Sequence, residues 1–179
     1  MQVFFERKII GHVFGTRAEQ FHAVRGLDAL RATVAGFGAD HPYTCLVPSL
    51  DGVDPDDSFS RIPYEKGFYF LYYLQDLVGI EEFAAFTAVY LSTFGKRTAT
   101  TGAFKALLLQ HFEGHAAIQD VDWHKWLHEP GTAAPPLDLC PRGNVCFDLR
   151  GFGCVMRGRT SRACRADADA PVVQGCRQM

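Results

Sequence analysis

Across residues 1–128 the apolar positions recur at spacings of three and four, the period of helices that each bury one face. Val3, Phe4, Ile9, Ile10 and Phe14 predict a helix over Met1–Phe14, closed by Gly15. Phe21, Val24, Leu27, Leu30 and Val34 predict a second over Arg17–Phe37, weakened by Gly26 and ended by Gly36 and Gly38. Ala39–Arg61 loses the period and is rich in proline and aspartate, so a long irregular connection is expected there. The period resumes at Pro63 and continues to Val78, before Gly79. A further apolar helix runs over Ile80–Phe94 through Phe83, Phe86, Val89, Tyr90 and Phe94, and a turn over Gly95–Thr101 follows it. Thr100 or Thr101 can cap a helix over Ala103–Phe112. Asp120 or Asp122 can cap a last short one carrying Trp123, Trp126 and Leu127, which Pro130-Gly131 stops. The sum is five or six helices and no strand, with the aromatic stripes as core.

From Pro135 onward neither period is present. Composition changes with it: residues 1–139 hold 11 Lys+Arg against 17 Asp+Glu, and residues 140–179 hold 7 against 3. Five of the six cysteines lie in that second piece and all seven histidines in the first. A helical domain over 1–133 and a disordered, Cys/Arg-rich tail over 134–179 are therefore expected. Overall, 47% hydrophobic and 21% charged residues describe a globular chain of one-domain size. The net charge of −2 gives no general pull toward nucleic acid or membrane. No apolar run reaches eighteen residues and the N-terminus carries no signal-peptide pattern, so a soluble, cytoplasmic protein is expected.

The most informative chemistry lies in Asp54–Gly67, a polar, acidic stretch running into the aromatic segment Phe68–Leu74. Pro63 suits the first position of a helix, and Glu65 then falls where the helix dipole favours an anion. Tyr64 should stand at the exposed mouth of that helix, where a phenol can donate a hydrogen bond to a nearby oxyanion. An ordinary tyrosine at a helix boundary has the same local pattern. Two His-x-x-x-His pairs, His111/His115 and His124/His128, have the spacing that puts two imidazoles on one helix face. In the first, Glu113 is not at the position that zinc proteases use and Gly114 breaks the helix, so both pairs are read as surface histidines. The tail cysteines form no Cys-x-x-Cys hook.

Asp54-Pro55-Asp56, then Pro63-Tyr64-Glu65-Lys66-Gly67 and an aromatic helix, resembles the zinc aminopeptidases of the M1 family, in the subgroup of leukotriene A4 hydrolase and aminopeptidase B. Phe5–Gly11, Phe37-Gly38 with His41–Thr44, and Val121–Gly131 carry the likeness over roughly residues 1–131. The resemblance implies a mainly α fold, the C-terminal helical half of a thermolysin-like catalytic domain. It implies that Tyr64 stabilises the tetrahedral intermediate of peptide hydrolysis. It also implies that Asp56 stands at a cleft carboxylate position and Phe59 where a second tyrosine would be. Zinc is the cofactor of the full-length family and peptides its substrate. The family's His-Glu-x-x-His motif and the motif that holds the substrate's amino terminus do not occur in these 179 residues. The expectation is a partial enzyme, with no metal site of its own and inactive alone, whose N-terminal helix a partner could cover. A non-catalytic peptide- or partner-binding remnant and an unstable splice product are the alternatives.

Overall fold

The computed structural model describes residues 1–132, so the expected tail over 134–179 lies outside the described residues. Among the described residues there are seven α-helices: α1 (Gln2–Phe14), α2 (Thr16–Phe37), α3 (Ile62–Val78), α4 (Ile80–Phe94), α5 (Thr101–His111), α6 (Ala116–Gln119) and α7 (Trp123–His128). Strands are absent among the described residues. Gly79 ends α3 and starts α4 with φ 98° and ψ 160°, a conformation open in practice only to glycine. The capping choices resolve to Thr100, whose hydroxyl accepts from the Ala103 N–H, and Asp122, whose carboxylate accepts from the Lys125 N–H.

α3 is the axis of the core, packed on by α1, α2, α4 and α6. Its Ile62, Phe68, Tyr69 and Leu74 are essentially without exposure, each buried apolar side chain adding about 1.5–3 kcal/mol. Phe4 of α1 sets its ring edge against Phe83 of α4, centroids 5.5 Å apart. Trp126 of α7 meets Phe70 and Tyr73 at 5.1 and 5.2 Å. A second aromatic cluster gathers Phe86, Phe104, His111 and Phe112 where α4 meets α5.

The structure corrects four sequence expectations. The buried stripe of α2 is Ala23, Gly26, Leu30 and Val34, whereas Phe21 is 58% exposed. Three-and-four spacing fits both stripes; the choice falls to Gly26, whose missing side chain lets α1 and α3 approach α2 closely. Val89 is likewise exposed on α4, and Thr87 takes the inward position. α3 begins one residue early, at Ile62, so Pro63 follows the first helical residue. The short α6 was not expected from the spacing; it follows the break at Gly114 and buries Ile118. The irregular connection contains two single 3-10 turns, Pro42–Thr44 and Pro55–Ser58.

Candidate functional site

Three consecutive side chains in the first turn of α3 leave the helix in three directions. Tyr64 points outward, 39% exposed, and its hydroxyl has no hydrogen-bond partner among the described residues. Glu65 turns inward and accepts from Arg7 of α1, Nη2 to Oε2 at 2.7 Å, with both side chains almost fully buried. Lys66 is wholly buried and among the described residues has no carboxylate in reach; its ammonium donates to the carbonyls of Thr44 (3.0 Å), Glu129 (2.8 Å) and Gly131 (3.0 Å). All three of its N–H donors are used, so the charge is solvated by backbone dipoles. Burial lowers the pKa of this ammonium, against a raising influence of Cys45 and Glu129. Thr44 closes the same knot, accepting from the Gly131 N–H at 2.7 Å and donating to the His41 carbonyl at 2.7 Å.

Arg7 also lies over the ring of Phe68, its guanidinium carbon 4.1 Å from the ring centre. Gly26 is why the Arg7–Glu65 pair fits under α2: a methyl group there would collide with Glu65 Oε2 and Arg7 Nη2. Arg7 Nη1 is buried and has no acceptor among the described residues. One residue-turn further along α3, the Tyr69 hydroxyl donates to the Ala23 carbonyl at 2.7 Å, locking α3 to α2, and burial raises its pKa.

Above this buried floor lies an open cleft of about 770 Å3. Its walls are one face of α1 (Gln2, Val3, Glu6, Arg7), one face of α2 (His22, Arg25, Gly26, Ala29), and the entry to α3 (Phe59–Arg61, Tyr64, Glu65). Of the residues singled out in sequence, Tyr64 and Phe59 meet in this cleft, Phe59 being 77% exposed. Asp56 does not line it; it sits in the exposed 3-10 turn Pro55–Ser58, where its own N–H donates to Asp54 Oδ1 at 3.0 Å. Arg7, Glu65 and Lys66 were not singled out as site residues. Their sequence signals are membership of the Phe5–Gly11 and Pro63–Gly67 runs and charged residues at inward positions of otherwise apolar helices, and neither shows that Arg7 and Glu65 pair.

Among the described residues the donors present do not fit a zinc site. Among the described residues no three of His, Cys, Asp and Glu come together as a metal-binding group. His111 packs on Phe86 and Phe112 at the end of α5, and Gly114 (φ 86°) parts it from His115. His124 and His128 lie on the exposed side of α7 with ring centroids 5.6 Å apart, a pair without a third ligand. None of the helices among the described residues is long and apolar enough to cross a membrane.

A profile of the peptidase family M1 domain matches residues 1–126. Leucine aminopeptidase 2 of Emericella nidulans is 40% identical over 153 residues, covering 83% of this chain and 25% of that protein. Leukotriene A-4 hydrolase of Xenopus laevis is 42% identical over 151 residues, covering 82% and 25%. Native leukotriene A4 hydrolase of Saccharomyces cerevisiae superposes with a TM-score of 0.69 at 37% identity, over 75% of this chain and 22% of that one. The chain thus spans about a quarter of the length of the relatives it matches, and its helices correspond to the helical part of their structures.

Proposed function

Since the chain belongs to peptidase family M1, matched over residues 1–126, we propose that it forms one wall of the active site of an aminopeptidase that removes N-terminal residues from peptides. The observation that carries this reading is the placement of Tyr64: exposed, without a hydrogen-bond partner among the described residues, in the first turn of α3 and facing a cleft. A neutral phenol in that position can donate to the oxyanion of a tetrahedral intermediate, and the positive end of the helix dipole favours the same charge. The Arg7–Glu65 pair and the Lys66 knot hold the turn that carries the phenol, so its aim costs no reorganisation during reaction. Zinc, the cofactor of the resembled family, finds no fitting donor set among the described residues. These residues supply an oxyanion donor and cleft wall, and by themselves do not hydrolyse peptides.

The test is a chimera in which residues 1–132 replace the matching quarter of a related leucine aminopeptidase. Hydrolysis of leucyl 4-nitroanilide should survive the exchange, and Tyr64→Phe should then lower kcat by roughly 100- to 1000-fold with little change in KM. An active chimera indifferent to Tyr64→Phe would refute the assignment.

A second reading has one observation in its favour. Ile9, Val13 and Phe14 stand exposed on α1, an apolar patch of the kind that marks an interaction face. On this reading the chain is a non-catalytic binding remnant that a partner covers along α1. Peptide binding that persists while the active chimera cannot be made would favour it.

A further inference from the structure

The charge lining the cleft is uneven, and its unevenness names a class of substrate. Glu65 is consumed by Arg7 in the floor. What remains is one acid, Glu6, against the guanidinium groups of Arg25 and Arg61 and the imidazole of His22. This local excess of positive charge runs against the acidic balance of residues 1–139, with 11 Lys+Arg and 17 Asp+Glu. The ion pairs among the described residues are Arg7–Glu65, Lys8–Glu19 and Arg31–Asp28, so neither Arg25 nor Arg61 is neutralised there.

The two arginines come from different walls. Arg25 belongs to the stripe His22, Arg25, Gly26, Ala29 along α2, whose spacings of three, one and three keep these residues on one helix face. Arg61 stands at the N-cap of α3, three residues before Tyr64, at the positive end of a 17-residue helix. Glu6 comes from the third wall, α1, and disfavours an anion on that side. An anion in the cleft therefore belongs on the α2–α3 side, beside Tyr64. Guanidinium groups pair with carboxylates, the anions that peptides carry, through two parallel hydrogen bonds.

We infer that this cleft selects peptides carrying a carboxylate close to the bond presented to Tyr64, with Arg25 and Arg61 as the specificity-determining residues. The inference rests on the proposal that the Tyr64 cleft receives peptide.

The test is binding by the full 179-residue chain, followed by calorimetry or by amide-resonance shifts, with three probes: Ala-Ala-Ala amide, Ala-Asp-Ala amide and Ala-Ala-Ala free acid. Arg25→Glu and Arg61→Glu are made in parallel; both side chains are exposed, and circular dichroism checks that the helices persist. At low salt a carboxylate-bearing probe should bind about tenfold tighter than the neutral amide, the scale of one charge-assisted hydrogen-bonded contact. Which of the two acids gains tells a side-chain carboxylate from a terminal one. The preference should shrink as salt rises and fall at least fivefold in either variant. Equal binding of neutral and acidic probes overturns the inference while leaving the peptide cleft intact, as does a preference that both variants retain. No binding of any probe refutes the peptide cleft as well.

Discussion

Arg7 Nη2 and Glu65 Oε2 lie 2.7 Å apart in the protein interior, joining α1 to the first turn of α3 one residue after Tyr64. Both charges have left water, so the pair is worth little against an apolar replacement but is costly to break from one side. Glu65→Gln or Arg7→Met alone should destabilise the chain by about 3–5 kcal/mol in urea unfolding. The double change Arg7→Met with Glu65→Met should recover most of that loss.

Gly26 makes a sharper prediction from the same contact. A methyl group at this position runs into the paired atoms of Arg7 and Glu65, so Gly26→Ala should cost about 1–3 kcal/mol as an overpacked core does. Gly36, on the same helix, has no atom within 4 Å of its would-be methyl. Gly36→Ala should be neutral or stabilise by up to about 1 kcal/mol, because alanine is the better helix former. Unfolding midpoints of the two variants should move in opposite directions or differ by at least that amount.

The Lys66 ammonium spans the chain from Thr44 to Gly131. Lys66→Met leaves three carbonyls without their donor, and each buried unsatisfied group costs about 1–3 kcal/mol. The loss should be local first: hydrogen exchange at the amides of Gly131 and Val47, bonded to Thr44 Oγ1 and the Leu127 carbonyl, should accelerate more than at Leu74. Uniform acceleration at all sites would contradict a local brace.

Burial raises the Tyr72 hydroxyl to about 12, with smaller contributions from Glu19 and Asp76, and raises Tyr69 further. In the unfolded chain both phenols ionise near pH 10. Above that pH the unfolded state loses protons that the folded state keeps, so the stability of the fold falls. The contribution is complete below about pH 10 and is lost as pH rises through about 12. Tyr72→Phe should flatten this alkaline decline, read as unfolding free energy between those pH values.

Much of this fold is legible in sequence because helix boundaries carry local signals. Gly15, Gly38 and Gly79, the Thr100 and Asp122 caps and the break at Gly114 are all short-range features that need no partner. The face each helix buries was less legible. On α2, Phe21 and Ala23 compete on spacing alone, and Gly26 decides between them only once Arg7 and Glu65 are placed beneath it. The same limit applies to the site. Tyr64 announces itself through Pro63 and the helix start, whereas Lys66 and Thr44 meet Gly131 across more than sixty residues, a pairing that no local pattern encodes.

On the proposed reading, these residues supply the tyrosine wall of an aminopeptidase site whose metal ligands lie outside residues 1–132. The most direct test measures zinc content and leucyl 4-nitroanilide hydrolysis on the purified 179-residue chain, wild type beside Tyr64→Phe. Neither protein should hold stoichiometric zinc or show turnover above buffer. Stoichiometric zinc with turnover that Tyr64→Phe abolishes would contradict it, and would mean that ligands such as His111 and His115 assemble a metal site.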